Sequence, residues 1–88
     1  MRRTRIDIIN DMLLAIVNKG GAIKPTHLLY KSNLSHTLMK EYIRELISKK
    51  LIMEQPEKRG KSFRITDKGR QFSREYKKMK EFQESFGL

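Results

Sequence analysis

The chain has no cysteine. Disulfides and thiolate metal sites are therefore excluded. Its two histidines, His27 and His36, have no carboxylate pair beside them, so a metal site lacks ligands; both read as surface residues. No stretch approaches the ~18 apolar residues of a membrane-spanning helix. The basic residues are not confined to one face of one helix, which disfavours a membrane surface as partner. The opening MRRTRID is not followed by the apolar run of a signal peptide, because Asn10 and Asp11 interrupt the Ile and Leu residues. The expected location is the cytoplasm, against the nucleoid in a prokaryotic cell. A Gly-rich phosphate loop, GxSxG and HExxH are all missing, and the hydroxyls and histidines show no triad spacing. The expectation is a non-enzyme without metal or cofactor; an effector pocket is not legible.

Acidic residues are also few: 10 Asp+Glu against 20 Lys+Arg, a net charge of +10 on 88 residues. One domain with a modest core is all that length allows. So large a basic excess implies an acidic partner, most often a nucleic acid. Aromatic residues are not clustered as single-strand readers require, which turns the expectation toward duplex.

The chain is organised around Ile23 to Lys50. This stretch reads as a short helix, a turn at Ser32-Asn33-Leu34, and a longer helix. Ser35 stands at the N-cap, and Leu34 and Met39 occupy the two positions of a hydrophobic staple. In the longer helix Met39, Tyr42, Ile43, Leu46 and Ile47 share one face. Thr37, Lys40, Glu41, Arg44 and Ser48 share the other. One core face and one polar, partly basic face are what a major-groove recognition helix requires. His36, at its first position, is placed to touch phosphate or base. Lys31, at the end of the shorter helix, is a further expected DNA contact.

The first helix is expected from Thr4 to Lys19, with Thr4 as cap and Gly20-Gly21 as stop. Its main apolar stripe is Ile6, Ile9, Leu13, Ile16 and Val17. Ile8, Met12 and Ala15 lie nearly opposite, which predicts cover from a second side, outside the domain. Arg2, Arg3 and Arg5 form a basic arm ahead of this helix, suited to a phosphate backbone or a minor groove. Ala22-Ile23 is a candidate edge strand, and Pro25 suits the first turn of the second helix.

After Lys50 the period becomes extended. Leu51 to Gln55 and Ser62 to Thr66 read as two strands of a hairpin, with Phe63 and Ile65 facing in and Arg64 out. Lys58, Arg59 and Lys61 crowd its tip around Gly60, an arrangement suited to phosphate contacts. The last helix begins at Thr66-Asp67 and runs to about Phe86. Phe72, Tyr76, Met79, Phe82 and Phe86 follow at spacings of 4, 3, 3 and 4. Only the first is expected to be covered by the domain. Tyr76, Met79, Phe82 and Phe86, with Ile8 and Met12, are therefore the expected interface of a homodimer; the alternative is a last helix folded back on its own domain as a fourth core helix.

The pieces KPTHLLYKSNLS (Lys24 to Ser35), YIRELISKKLI (Tyr42 to Ile52) and FRITDKGRQF (Phe63 to Phe72) resemble the archaeal winged-helix family that includes the small dimeric chromatin proteins of Crenarchaea. The resemblance covers about Arg5 to Tyr76. It implies a homodimer joined by an antiparallel coiled coil of the C-terminal helices. It also implies duplex binding by the third helix, through Ser35, His36, Thr37, Lys40 and Arg44, and by the wing, through Lys58, Arg59 and Lys61. One departure is Gln83, which stands where a strict heptad has an apolar residue.

The expected fold is mainly α with a small β-hairpin (α+β): a winged helix-turn-helix with an extended C-terminal dimerisation helix. Residues 1–72 form the DNA-binding domain and 73–88 the extension. The expected function is double-stranded DNA binding by a homodimeric transcription regulator. Glu41 tilts this toward sequence preference, since a carboxylate repels phosphate but accepts a bond from cytosine. The alternatives are a sequence-nonspecific chromatin protein and a winged-helix protein-interaction module.

Overall fold

Local capping sets most of the element boundaries. In the computed structural model, which describes residues 3–88, Thr4 and Asp7 form a reciprocal capping box. The Asp7 N–H donates to Thr4 Oγ1 at 3.1 Å, and the Thr4 N–H donates to Asp7 Oδ2 at 2.9 Å. They open α1, Arg5–Asn18. Gly20 and Gly21, at φ +90° and +101°, turn the chain into the short strand β1, Ala22–Ile23. Pro25 opens α2, Pro25–Ser32, and Asn33 closes it in the left-handed region at φ 54°. Ser35 caps α3, His36–Ser48, by accepting the Leu38 N–H at 3.1 Å. The hairpin is β2, Ile52–Pro56, and β3, Lys61–Ile65. Thr66 then caps α4, Asp67–Ser85, by accepting the Gly69 N–H at 3.0 Å.

The sheet is antiparallel in the order β1-β3-β2, with Ile23 opposite Phe63 and Ile52 opposite Ile65. Ala22-Ile23 thus pairs as an edge strand, as its sequence suggests. The core lies between α1, α2, α3 and the inner face of the sheet. Met12, Leu13, Ile16, Leu28 and Leu46 are wholly buried there, and Ile52, Phe63 and Ile65 close it from the sheet. Among the described residues no helix is long and apolar enough to cross a membrane.

Expectations about apolar faces need correction on α1 and on α4. Met12 cannot serve a partner, because it has no exposed surface and belongs to its own core. Ile8 is half-buried and packs against the same core. The second flank of α1 is covered from within: Ile8 and Ala15 pack against the domain's own core, which includes Met12. Ile6, expected in the buried stripe, is instead exposed in the first turn of α1.

Tyr76 is the other correction. α4 runs back along α1, with Arg70 beside Gly21 at one end and Tyr76 bonded to Asp7 at the other. The half-buried positions Phe72, Ser73, Tyr76, Lys80 and Gln83 follow helical spacing and mark the inward stripe. Gln83 belongs to that stripe and not to the exposed aromatic one. Met79, Phe82 and Phe86 lie on the neighbouring stripe and stay 41%, 64% and 68% exposed. The Phe82 and Phe86 rings pack against each other on this surface, with centroids 5.0 Å apart.

Candidate nucleic-acid interface

α3 turns Met39, Ile43 and Leu46 into the core, which leaves His36, Thr37, Lys40, Glu41 and Arg44 exposed along its outer face. Ser35 is exposed too, with its hydroxyl engaged as the N-cap. Between α3 and the wing runs an open groove of about 440 Å³. Met39, Ile43 and Phe63 form its floor, and Lys40, Arg44 and Lys61 contribute its cationic edge, with His36 beside them. The helix and the wing thus present one continuous surface, assembled from residues up to 25 positions apart between His36 and Lys61.

The wing cations differ in how far they are committed. Lys61 lies 2.7 Å from Glu54 Oε2 across the hairpin and 5.6 Å from the Phe63 ring centroid. Lys58 and Arg59, at the tip, are exposed and have no carboxylate partner among the described residues. The Glu57 N–H donates to the Gly60 carbonyl at 3.1 Å, and Gly60 takes φ +79°, a conformation that suits glycine. The tip is therefore a tight turn that holds both cations outward.

The basic arm is used differently from its sequence reading. Arg2 lies outside the described residues. Arg3 pairs with Asp11 at 2.8 Å and donates to the Ser32 carbonyl at 3.2 Å, tying the arm to α1 and the end of α2. Arg5 pairs with Glu45 on α3, and its guanidinium sits 5.8 Å from the Tyr42 ring centroid. Arg5, Leu38, Glu41, Tyr42 and Glu45 line a shallow hollow along that edge of α3. The arm so placed is tied to α3 and sets a cation beside its acidic edge. Glu45 carries this contact and has no sequence signal, since its partner lies 40 positions away. Lys31 faces the hollow with Ala15, Asn18 and His27 and takes no part in the α3–wing groove. Among the described residues no three His, Asp or Glu side chains gather as a metal site.

A helix-turn-helix whose second helix is flanked by a two-stranded hairpin on a three-stranded sheet defines a winged-helix domain. The chain belongs to the winged helix-turn-helix family, whose model matches residues 2–84. Among solved structures it is similar to Sso10a-2, a DNA-binding protein from Sulfolobus solfataricus, with a TM-score of 0.82 at 18% identity over 96% of this chain and 85% of that one. F93 from STIV, a winged-helix DNA-binding protein, gives a TM-score of 0.76 at 22% identity, covering 93% and 92%. BpsR of Bordetella bronchiseptica, whose DNA binding is regulated by 6-hydroxynicotinic acid, gives 0.75 at 20% identity, covering 91% of this chain and 64% of that one. Likenesses at this identity establish the fold. The curated protein sequences contain no match.

Proposed function

We propose that the protein binds double-stranded DNA as a homodimeric transcription regulator. α3 lies in the major groove, and the wing rests on the flanking backbone. The observation that carries this reading is the shared surface of α3 and the wing. Lys40 and Arg44 border the same groove as Lys61, and the free cations Lys58 and Arg59 stand at the wing's tip. Cations so placed neutralise phosphates, while Thr37, Lys40, Glu41 and Arg44 probe base edges. DNA-binding proteins of the same fold, Sso10a-2 and F93, support it.

Sequence preference rather than a uniform coat is supported by Glu41. It is exposed on the outer face of α3 and has no salt-bridge partner among the described residues. Dimerisation is supported by the exposed stripe of Met79, Phe82 and Phe86, which a second copy of α4 would cover. On this reading residues 1–72 bind DNA, and 73–88 extend the same helix to a partner subunit. A sequence-nonspecific architectural role is the second reading, favoured by the net charge of +10.

Selection of bound duplexes from a random library tests the proposal. A palindromic motif is the expected result, and enrichment without a motif assigns the architectural role. Absence of duplex binding at low salt would overturn both and favour a protein-interaction module.

A further inference from the structure

A second row of cations lies on the side of the sheet turned away from α3. Phe63 and Ile65 are buried against the core, so strand alternation sends Arg64 out through the opposite face. Arg64 stands opposite Ala22 in the β1–β3 ladder, and the Ile65 N–H donates to the Gly21 carbonyl at 3.0 Å. Arg70 reaches the same turn: a Cβ on Gly21 would stand 3.1 Å from Arg70 Nη2. Arg64 and Arg70 therefore border one turn from two elements. Beyond it, Arg74 and Lys77 continue from Arg70 at i+4 and i+7, on one exposed face of α4.

These cations are uncompensated. None of the four has a carboxylate partner among the described residues, and the side-chain bond of Arg64 goes to the neutral amide oxygen of Gln55 at 2.6 Å. Asp67 and Glu81 stand near the two ends of the helical row and pair with none of them. Like charges at i and i+4 destabilise a helix, so the row has a cost that an anionic polymer relieves. From Arg70 to Lys77 the helix rises ~10 Å, the axial span of about three phosphates of one strand. The row also lies ~150° round α4 from Met79, Phe82 and Phe86, at 100° per residue. A dimer seam through the aromatic stripe leaves it open.

We propose that Arg64, Arg70, Arg74 and Lys77 form a second duplex-binding track, so that each subunit holds two DNA segments at once. One segment lies on α3 and the wing; the other crosses the outer face of the sheet and α4. This rests on the duplex-binding reading of α3. The track contacts phosphates and adds no base reading.

The test is capture of a labelled second duplex by protein held on an immobilised first duplex. It is run in a Phe82→Glu/Phe86→Glu background, so that two recognition helices of a dimer cannot do the bridging. The expected result is capture that falls at least about tenfold when Arg70→Gln, Arg74→Gln and Lys77→Gln are added. The slope of that capture on log salt should shrink by roughly 0.9 for each phosphate no longer neutralised. Binding to the first duplex, followed by anisotropy, stays within about twofold, since the track lies outside the recognition surface. Equal capture with and without the three substitutions overturns the track. So does a protein that captures anionic phosphatidylglycerol vesicles through these residues and no second duplex. Failure to bind the first duplex at all condemns the α3 reading instead. A Lys40→Ala/Arg44→Ala variant whose residual duplex binding vanishes on adding Arg70→Gln, Arg74→Gln and Lys77→Gln supports the track independently.

Discussion

The Tyr76 hydroxyl donates a hydrogen bond to the Asp7 carboxylate, joining the middle of α4 to the first turn of α1. Lys80 Nζ lies 3.5 Å from the same oxygen. The bond from Tyr76 is the largest cause holding the Asp7 carboxyl well below the ordinary carboxylate range, followed by the bond from the Thr4 N–H. Burial, and then the bond to Asp7, pushes the Tyr76 hydroxyl up to about 12. The two shifts act at opposite ends of the pH scale. Asp7 binds its proton more weakly when folded, so its contribution is complete above the ordinary value of 3.8 and lost as pH falls below it. Tyr76 binds its proton more tightly when folded, so its contribution is complete below 10.0 and lost as pH rises toward about 12. Tyr76→Phe is expected to lower Tm by a few degrees at neutral pH. The gap from wild type should narrow in acid below the carboxylate value and in alkali above the phenol value. A gap that ignores pH in melting curves would show that the hydroxyl does not act through this carboxylate.

Gly69 is fixed by close approach rather than by backbone angle. A Cβ there would stand 2.3 Å from the Leu51 carbonyl oxygen and 2.8 Å from Ile65 Cγ1. The carbonyl belongs to the chain leaving α3 and accepts the Thr66 N–H at 3.1 Å, so it has little room to retreat. Gly69→Ala should destabilise by about 3 kcal/mol in denaturant titration, the upper end for overpacking. A neutral result would mean that α4 can lift off the hairpin at little cost.

What is legible in the chain is local. Thr4 with Asp7, Ser35 and Thr66 announce helix starts because a cap bonds within three residues. Gly20-Gly21 and Asn33 announce ends because they accept left-handed backbone. The outer face of α3 is legible from period alone. Partners distant in sequence are not. Periodicity shows that Met12 and Tyr76 are on apolar stripes, but not which neighbour covers them. Their spacing points to a second subunit, yet both are held by their own. Arg3 and Arg5 read as a free arm because Asp11 and Glu45 carry no mark of being their partners.

Arg5 is therefore expected to act on the helix and not on DNA. The Arg5 side of its pair with Glu45 is exposed, and pairs open to solvent contribute ~0–1 kcal/mol. Arg5→Ala should cost under about 1 kcal/mol of stability and leave the salt slope of duplex binding unchanged. A slope that falls by roughly one unit would show that Arg5 leaves Glu45 to contact phosphate.

Glu41 and the wing tip should separate specificity from affinity. A carboxylate on the outer face of α3 repels every duplex and favours those that place a cytosine amine against it. Glu41→Ala should raise affinity for random duplex while flattening the preference among selected sites. Lys58→Ala and Arg59→Ala should weaken binding to all sequences alike, each lowering the salt slope by about one unit. Equal losses on all sequences from Glu41→Ala would remove its part in base reading.

The proposed seam between subunits is narrower than the aromatic spacing alone implies. Tyr76 faces α1, so only Met79, Phe82 and Phe86 remain for a partner, along the last two turns of α4. A short seam of this kind depends on its two phenylalanines, whose rings are the largest apolar surfaces there. Phe82→Glu with Phe86→Glu should yield monomers by analytical ultracentrifugation, with helical content unchanged because both side chains already face solvent within the subunit. Monomers should also bind a palindromic duplex more weakly, since two half-sites no longer act together. An unchanged mass would place the contact elsewhere, and Ile6 and Leu14, exposed on α1, would be the next surface to substitute.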